Sequence, residues 1–177
     1  QTAVISLAIF LFVYLVLVQP HRVKGDSMLP NFHDGELLLT EKVSYRFDKP
    51  RRGDVIVFAA PYPRKVDFIK RVIGLPGDTI QIEDGEILIN LDKLNETYET
   101  QSTQGNINIK LSKDQYFVLG DNRNSSSDSR SFGAISEKNI KGRAWLVYWP
   151  ILKSQKSGGF RIISRVDYRI PDTFYNR

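Results

Sequence analysis

Residues 66–90 read VDFIKRVIGLPGDTIQIEDGEILIN. Over 66–73, β-branched and aromatic residues mix with charges, which suits a strand. Gly74-Leu75-Pro76-Gly77-Asp78 breaks the run as a turn. Thr79–Glu83 and Glu86–Asn90 then flank an Asp84-Gly85 pair, the pattern of a β-hairpin. Three strands follow one another here with no helical period between them.

The same alternation of short apolar runs and turn residues extends both ways. Upstream, Val55–Phe58 is an apolar β run after Gly53-Asp54, and ELLLT at 36–40 is launched from the Asp34-Gly35 turn. Downstream, residues 91–115 are polar and poorly patterned, a loop or an extension of the sheet. YFVLG at 116–120 is a further strand, DNRNSSSDSRS at 121–131 is loop, and AWLVYW at 144–149 is an aromatic strand stopped by Pro150. KSQKSGG at 153–159 reads as a flexible linker. RIISRVDYRI beyond it reads as one more strand or an amphipathic tail. No internal repeat and no long helical periodicity occurs between 20 and 177. The expected fold is all-β, with many short strands and a sheet extension.

The start of the chain differs. AVISLAIFLFVYLVLV at 3–18 carries no charge. As a helix it spans about 24 Å at ~1.5 Å per residue, slightly short of the ~30 Å bilayer core. The expected organisation is a transmembrane anchor at 1–19, a folded domain at 20–152, and a linker and tail at 153–177. A cleaved signal peptide and a buried core helix are the rival readings. The exit VLVQPHRVKG has bulky residues where a cleavage site needs small ones. His21, Arg22 and Lys24 behind the stretch would, taken alone, put the domain in the cytoplasm.

Composition narrows the chemistry. The chain has 177 residues, 41% of them hydrophobic and 25% charged, proportions ordinary for a folded protein. It has no Cys, which excludes disulfides, thiol nucleophiles and cysteine metal sites. Its only histidines are His21 and His33, so a three-histidine metal site is excluded too. The net charge of +5 would suit nucleic acid. However, the basic residues at 46–52 and 64–71 are interrupted by Pro, Asp and apolar residues. Anionic lipid beside the anchor is the simpler partner.

Ser27, in GDSMLP, is a candidate nucleophile and needs a base. His33 reads better as a solvated turn histidine. Lys70 is flanked by Phe68, Ile69, Val72 and Ile73. Apolar burial can hold a lysine neutral near pH 7, and a neutral amine can take the Ser27 proton. The competing reading puts Lys70 on the solvent face of an edge strand, guarding it from pairing. GDNRNSSSDSR at 120–130 is either a loop locked by paired charges or a solvated surface loop.

These residues resemble the bacterial type I signal peptidases, membrane-bound serine proteases that cut signal peptides from exported preproteins. The resemblance rests on GDSMLP at 25–30, RGDVIVF at 52–58, DFIKRVIGLPGD at 67–78, GDNRNSSSDSR at 120–130 and AWLVYWP at 144–150, in order after an apolar stretch. It implies Ser27 as nucleophile, with its backbone N–H binding the oxyanion, and Lys70 as general base. Ser126 would orient the lysine, supported by Asp128 with Arg130 and by Arg71 with Asp121. Val23, Met28, Phe32, Phe68 and Ile69 would line the substrate pockets. No metal or other cofactor is implied. The partners would be signal peptides and membrane lipid, with no nucleic acid. The family's topology puts the catalytic domain on the outer side of the cytoplasmic membrane, against the charge rule. Gly25 stands where some members carry an oxyanion-binding Ser, and resembles the Gram-positive style. Asn31 stands in place of a common Thr. The alternatives are a repressor-type Ser-Lys autoprotease, which lacks the 120–130 box and the anchor, and an inert membrane-tethered binding protein.

Overall fold

The computed structural model describes residues 2–7, 17–61, 66–96, 102–154 and 157–166. The chain forms a mostly β fold with few helices. In chain order the strands are β1 (Val18–Arg22), β2 (Leu37–Glu41), β3 (Val55–Ala59), β4 (Asp67–Gly74), β5 (Thr79–Glu83), β6 (Glu86–Ile89), β7 (Asp92–Lys93), β8 (Ile107–Lys110), β9 (Gln115–Leu119), β10 (Ile135–Ser136), β11 (Ile140–Trp149) and β12 (Arg161–Ile162). One sheet runs β1-β2-β11-β3-β4-β9-β10, with β12 beside β11; a second runs β7-β6-β5-β8. All pairings are antiparallel.

The period of two along β3 explains how one strand serves two cores. Val55 and Val57 pack with Val23, Met28, Phe32, Leu38, Ala144 and Val147, while Ile56 and Phe58 pack with Val72, Tyr116, Val118 and Ile135. A third core joins the sheets: Ile73, Phe117 and Leu119 meet Ile80, Ile82, Ile87, Ile89, Leu94 and Leu111. Gly74 stands where β4 passes between them. A Cβ there would lie 2.7 Å from Ile80 and 2.8 Å from Leu111.

Two expectations change at the chain ends. The boundary at residue 19 falls inside a strand, because Val18 and Gln19 pair with Glu41 and Thr40. Residues 8–16 of the apolar stretch lie outside the described residues. Among the described residues, no helix is long and apolar enough to cross a membrane. The flexible linker at 153–159 is instead tied to the domain at Ser157 and Gly158. The buried Glu36 carboxylate accepts from Ser157 Oγ (2.9 Å), Gly158 N–H (2.8 Å) and both terminal nitrogens of Arg161 (2.9 and 2.7 Å). Arg161 also donates to the Asn31 carbonyl (2.5 Å) and stacks over the Phe32 ring. Arg165 bonds Asp54 at 2.7 Å.

Removing the carboxylate strands Arg161 over the Ser27 loop. Glu36→Ala should cost about 2 kcal/mol, less than a fully buried pair because Arg161 keeps some solvent. Thermal melting should show a midpoint lower by about 5 °C for a domain of this size. An unchanged midpoint would mean that the tail contributes no stability.

Candidate active site

Ser27 sits on a turn whose neighbours hold it from below. Met28 and Phe32 are buried in the core, and the Phe32 N–H bonds the Met28 carbonyl at 2.8 Å. Gly25 adopts φ +79° and donates its N–H to Asp34 Oδ1. A Cβ at Gly25 meets nothing within 4 Å, so space is not the constraint there. The positive φ is, since it disfavours any L side chain. Among the described residues, the Ser27 N–H makes no hydrogen bond.

β4 brings the lysine to this turn. Lys70 pairs with Ile56 of β3 and is 4% exposed. Its Nζ lies 2.7 Å from Ser27 Oγ and 2.9 Å from the Ile69 carbonyl, with the Phe68 ring at 5.2 Å. Burial lowers its pKa from 10.5 to about 8, against the upward pull of Asp128 and Asp121. Lys70 is therefore no solvent-facing guard of an edge strand. β4 is interior, between β3 and β9.

The next residue, Arg71, leaves the opposite side of the strand. It bonds Asp121 through Nε (2.8 Å) and Nη2 (2.6 Å), and donates to the Gly53 carbonyl. Asn31 donates its amide to Asp121 Oδ2 at 2.9 Å, so it joins the Ser27 turn to this pair.

The 120–130 loop is locked by charges. Asp128 is fully buried. It accepts from Arg130 Nε (2.8 Å) and Nη2 (2.9 Å) and from the Gly120 N–H (3.1 Å). Gly120 is required by close approach, because a Cβ there would collide with Ser126 Oγ and sit 2.5 Å from the Ser27 carbonyl oxygen. Asn122, which no motif reading singled out, grips the turn. Its N–H bonds the Ser27 carbonyl at 3.0 Å and its amide bonds the Asp26 carbonyl. Ser126 lies in this loop, yet its Oγ is buried without a hydrogen-bond partner among the described residues. Lys70 spends its contacts on Ser27 and Ile69 instead.

A cleft of about 250 Å³ opens at the dyad. Val23, Phe68 and Ile69 line it, together with Leu38, Val57, His21, Arg22, Lys24, Asp67 and Ser127. Met28 and Phe32 do not line it, because their side chains are spent anchoring the turn in the core beneath. His21 is held below its ordinary pKa by burial, although Asp67, 3.9 Å away, works to raise it. His33 faces the Glu36 carboxylate at 3.7 Å.

Residues 1–149 match the family model described as signal peptidase, peptidase S26. The chain belongs to that family. The Signal peptidase I of Leptolyngbya laminosa is 38% identical over 159 residues, covering 85% of this chain and 78% of the relative. The Signal peptidase I of Bacillus licheniformis is 34% identical over 169 residues, covering 89% and 90%. This S26 peptidase is a serine endopeptidase of the signal peptidase I type.

The sign of the Lys70 effect on stability follows from its pKa. Below about 8 the amine is protonated in both the folded and the unfolded chain, and the folded state carries the full cost of a buried charge. Between about 8 and 10.5 only the unfolded chain keeps the proton, so that cost is relieved as pH rises. The difference corresponds to about 3 kcal/mol at ~1.36 kcal/mol per pH unit. Lys70→Met should gain most over the parent below pH 8, and the gap should narrow toward pH 10.5. Urea unfolding at several pH values checks this. A gap that stays constant across the range would mean that Lys70 has an ordinary pKa.

Proposed function

We propose that this peptidase cuts signal peptides from exported preproteins through an acyl-enzyme on Ser27, with Lys70 as general base. The single observation that carries the reading is the 2.7 Å contact between a buried Lys70 amine and Ser27 Oγ. That distance is within proton-transfer reach. The low pKa of Lys70 gives it an appreciable neutral fraction near neutral pH, which an ordinary lysine lacks.

Neutral Lys70 accepts the Ser27 proton as Oγ attacks the carbonyl before the cut. The Ser27 N–H, unpaired among the described residues, stabilises the oxyanion. Protonated Lys70 then gives its proton to the leaving amine. The freed lysine activates the water that hydrolyses the ester. Arg71 with Asp121 and Asp128 with Arg130 hold the two loops around the dyad. Ser126 lies in the same loop with its buried hydroxyl unpartnered among the described residues, free to support the amine during the reaction. A cleft this small, walled by Val23, Leu38, Val57 and Ile69, favours small side chains beside the cut.

The apolar N-terminal stretch anchors the chain in the cytoplasmic membrane, with the domain that begins at β1 outside and 153–177 as its tail. Exposed Trp149, Ile151, Leu152, Phe160 and Ile162 support contact with lipid.

Ser27→Ala and Lys70→Ala should each lower kcat/KM by about 10⁴-fold on a signal-peptide substrate with the fold retained. The parent's rate should rise with pH through about 8, as Lys70 loses its proton. Near-normal cleavage by folded Ser27→Ala would exclude the nucleophile. Protease added outside the cytoplasmic membrane should digest residues 20–177 of the intact chain; digestion only from the cytoplasmic side would reverse the topology.

A further inference from the structure

We infer that Glu96, on the sheet extension, is a positioning residue that locks the catalytic loop against Ser27 through Arg123. The inference rests on the reading of Ser27 and Lys70 as the reacting pair. Glu96 lies in the polar stretch 91–115, which carries no pattern of its own. It follows β7, outside the sheet that carries the dyad.

The contact is bidentate and largely buried. Arg123, 2% exposed, donates from Nη1 to Glu96 Oε2 and from Nη2 to Glu96 Oε1, both at 2.6 Å. Its Nη1 also reaches Thr103 Oγ1 at 2.5 Å, and its Nε bonds the Gly120 carbonyl at 3.0 Å. Arg130 Nη2 holds the Arg123 carbonyl at 2.6 Å. The backbone from 120 to 123 is thus fixed from both sides. Within it sits Asn122, whose N–H holds the carbonyl of the nucleophile itself. The path from Glu96 to Ser27 therefore runs Glu96, Arg123, Asn122, Ser27. Planar bidentate pairing fixes direction as well as distance, which a single surface charge would not.

A clamp of this kind predicts more than stability. The loop carries Asp121 and Asp128, the acids whose charge pulls Lys70 upward, and Ser127, which borders the cleft beside Lys70. The other charged groups around Lys70 are Arg71 and Arg130, paired with those acids, and His21, Arg22, Lys24 and Asp67 on the cleft side. Releasing the loop admits water to Lys70. The burial that lowers its pKa then weakens, and the amine moves back toward its ordinary value.

The test uses the full chain in detergent micelles and a peptide substrate with alanine at the cut. kcat and KM are measured from pH 6 to 10.5 for the parent, Glu96→Ala, Glu96→Gln, Ser27→Ala and the surface control Glu86→Ala. Misplacing the loop by about 1 Å should lower the kcat of Glu96→Ala by about 10²-fold, with KM nearly unchanged. The pH midpoint of its kcat/KM should move above about 8. Glu96→Gln, which keeps one acceptor oxygen, should recover part of the rate, and Glu86→Ala should match the parent. A Glu96→Ala enzyme with a lower melting point but the parent's kcat and pH midpoint overturns the inference. So does a rate loss confined to KM. If Glu96→Ala fails to fold, Glu96→Gln decides on the same two readouts. An active Ser27→Ala would instead sink the dyad reading, whereas an inactive Ser27→Ala beside a parent-like Glu96→Ala sinks the inference alone.

Discussion

An amine buried in an apolar strand is the constraint on which the site depends. Water would solvate a lysine and return it to its ordinary charge. Lys70 is kept from water by β3 and β9 on either side and by the 120–130 loop. In the proposed mechanism, removing that cover would cost the base its neutral form. The flanking charges are arranged accordingly. Asp121 and Asp128 oppose the shift, but Arg71 and Arg130 occupy both carboxylates. The acids are thereby engaged elsewhere and do not form a direct ion pair with the lysine.

Serine geometry imposes the second demand. A nucleophile must be held to about half an ångström, which a free turn cannot do. Here the turn is pinned from three directions. Met28 and Phe32 anchor it from beneath, Asn122 and the Asn31–Asp121 contact hold its side, and Arg161 ties the Asn31 carbonyl to the buried Glu36. The third direction comes from a segment beyond residue 149, where the family match ends. In the proposed mechanism, catalytic and structural interactions are not separable, because the same hydrogen bonds supply both.

Much of this was legible in the sequence where a local rule applies. The hairpin at Thr79–Glu83 and Glu86–Ile89 follows from its Asp84-Gly85 turn, and β3 from its unbroken apolar run. The Ser27–Lys70 contact and the two Asp–Arg pairs fall on residues that the family resemblance singles out. What stayed hidden depends on distant partners. β1 contains Pro20 and ends an apolar stretch, and only its pairing with β2 makes it a strand. Glu36 and Arg161 are 125 residues apart, and Glu96 and Arg123 are 27 apart, so no local pattern announces either clamp. The family resemblance implies Met28 and Phe32 as pocket walls. The turn directs them into the core instead.

The central claim is that Lys70 is available as a neutral base. Its most direct test is an NMR titration of the lysine side-chain ¹³Cε signals in the folded chain without substrate, with Lys70 assigned by its loss in Lys70→Arg. The account predicts one lysine titrating at about 8. A Lys70 signal that titrates with the surface lysines near 10.5 would contradict it.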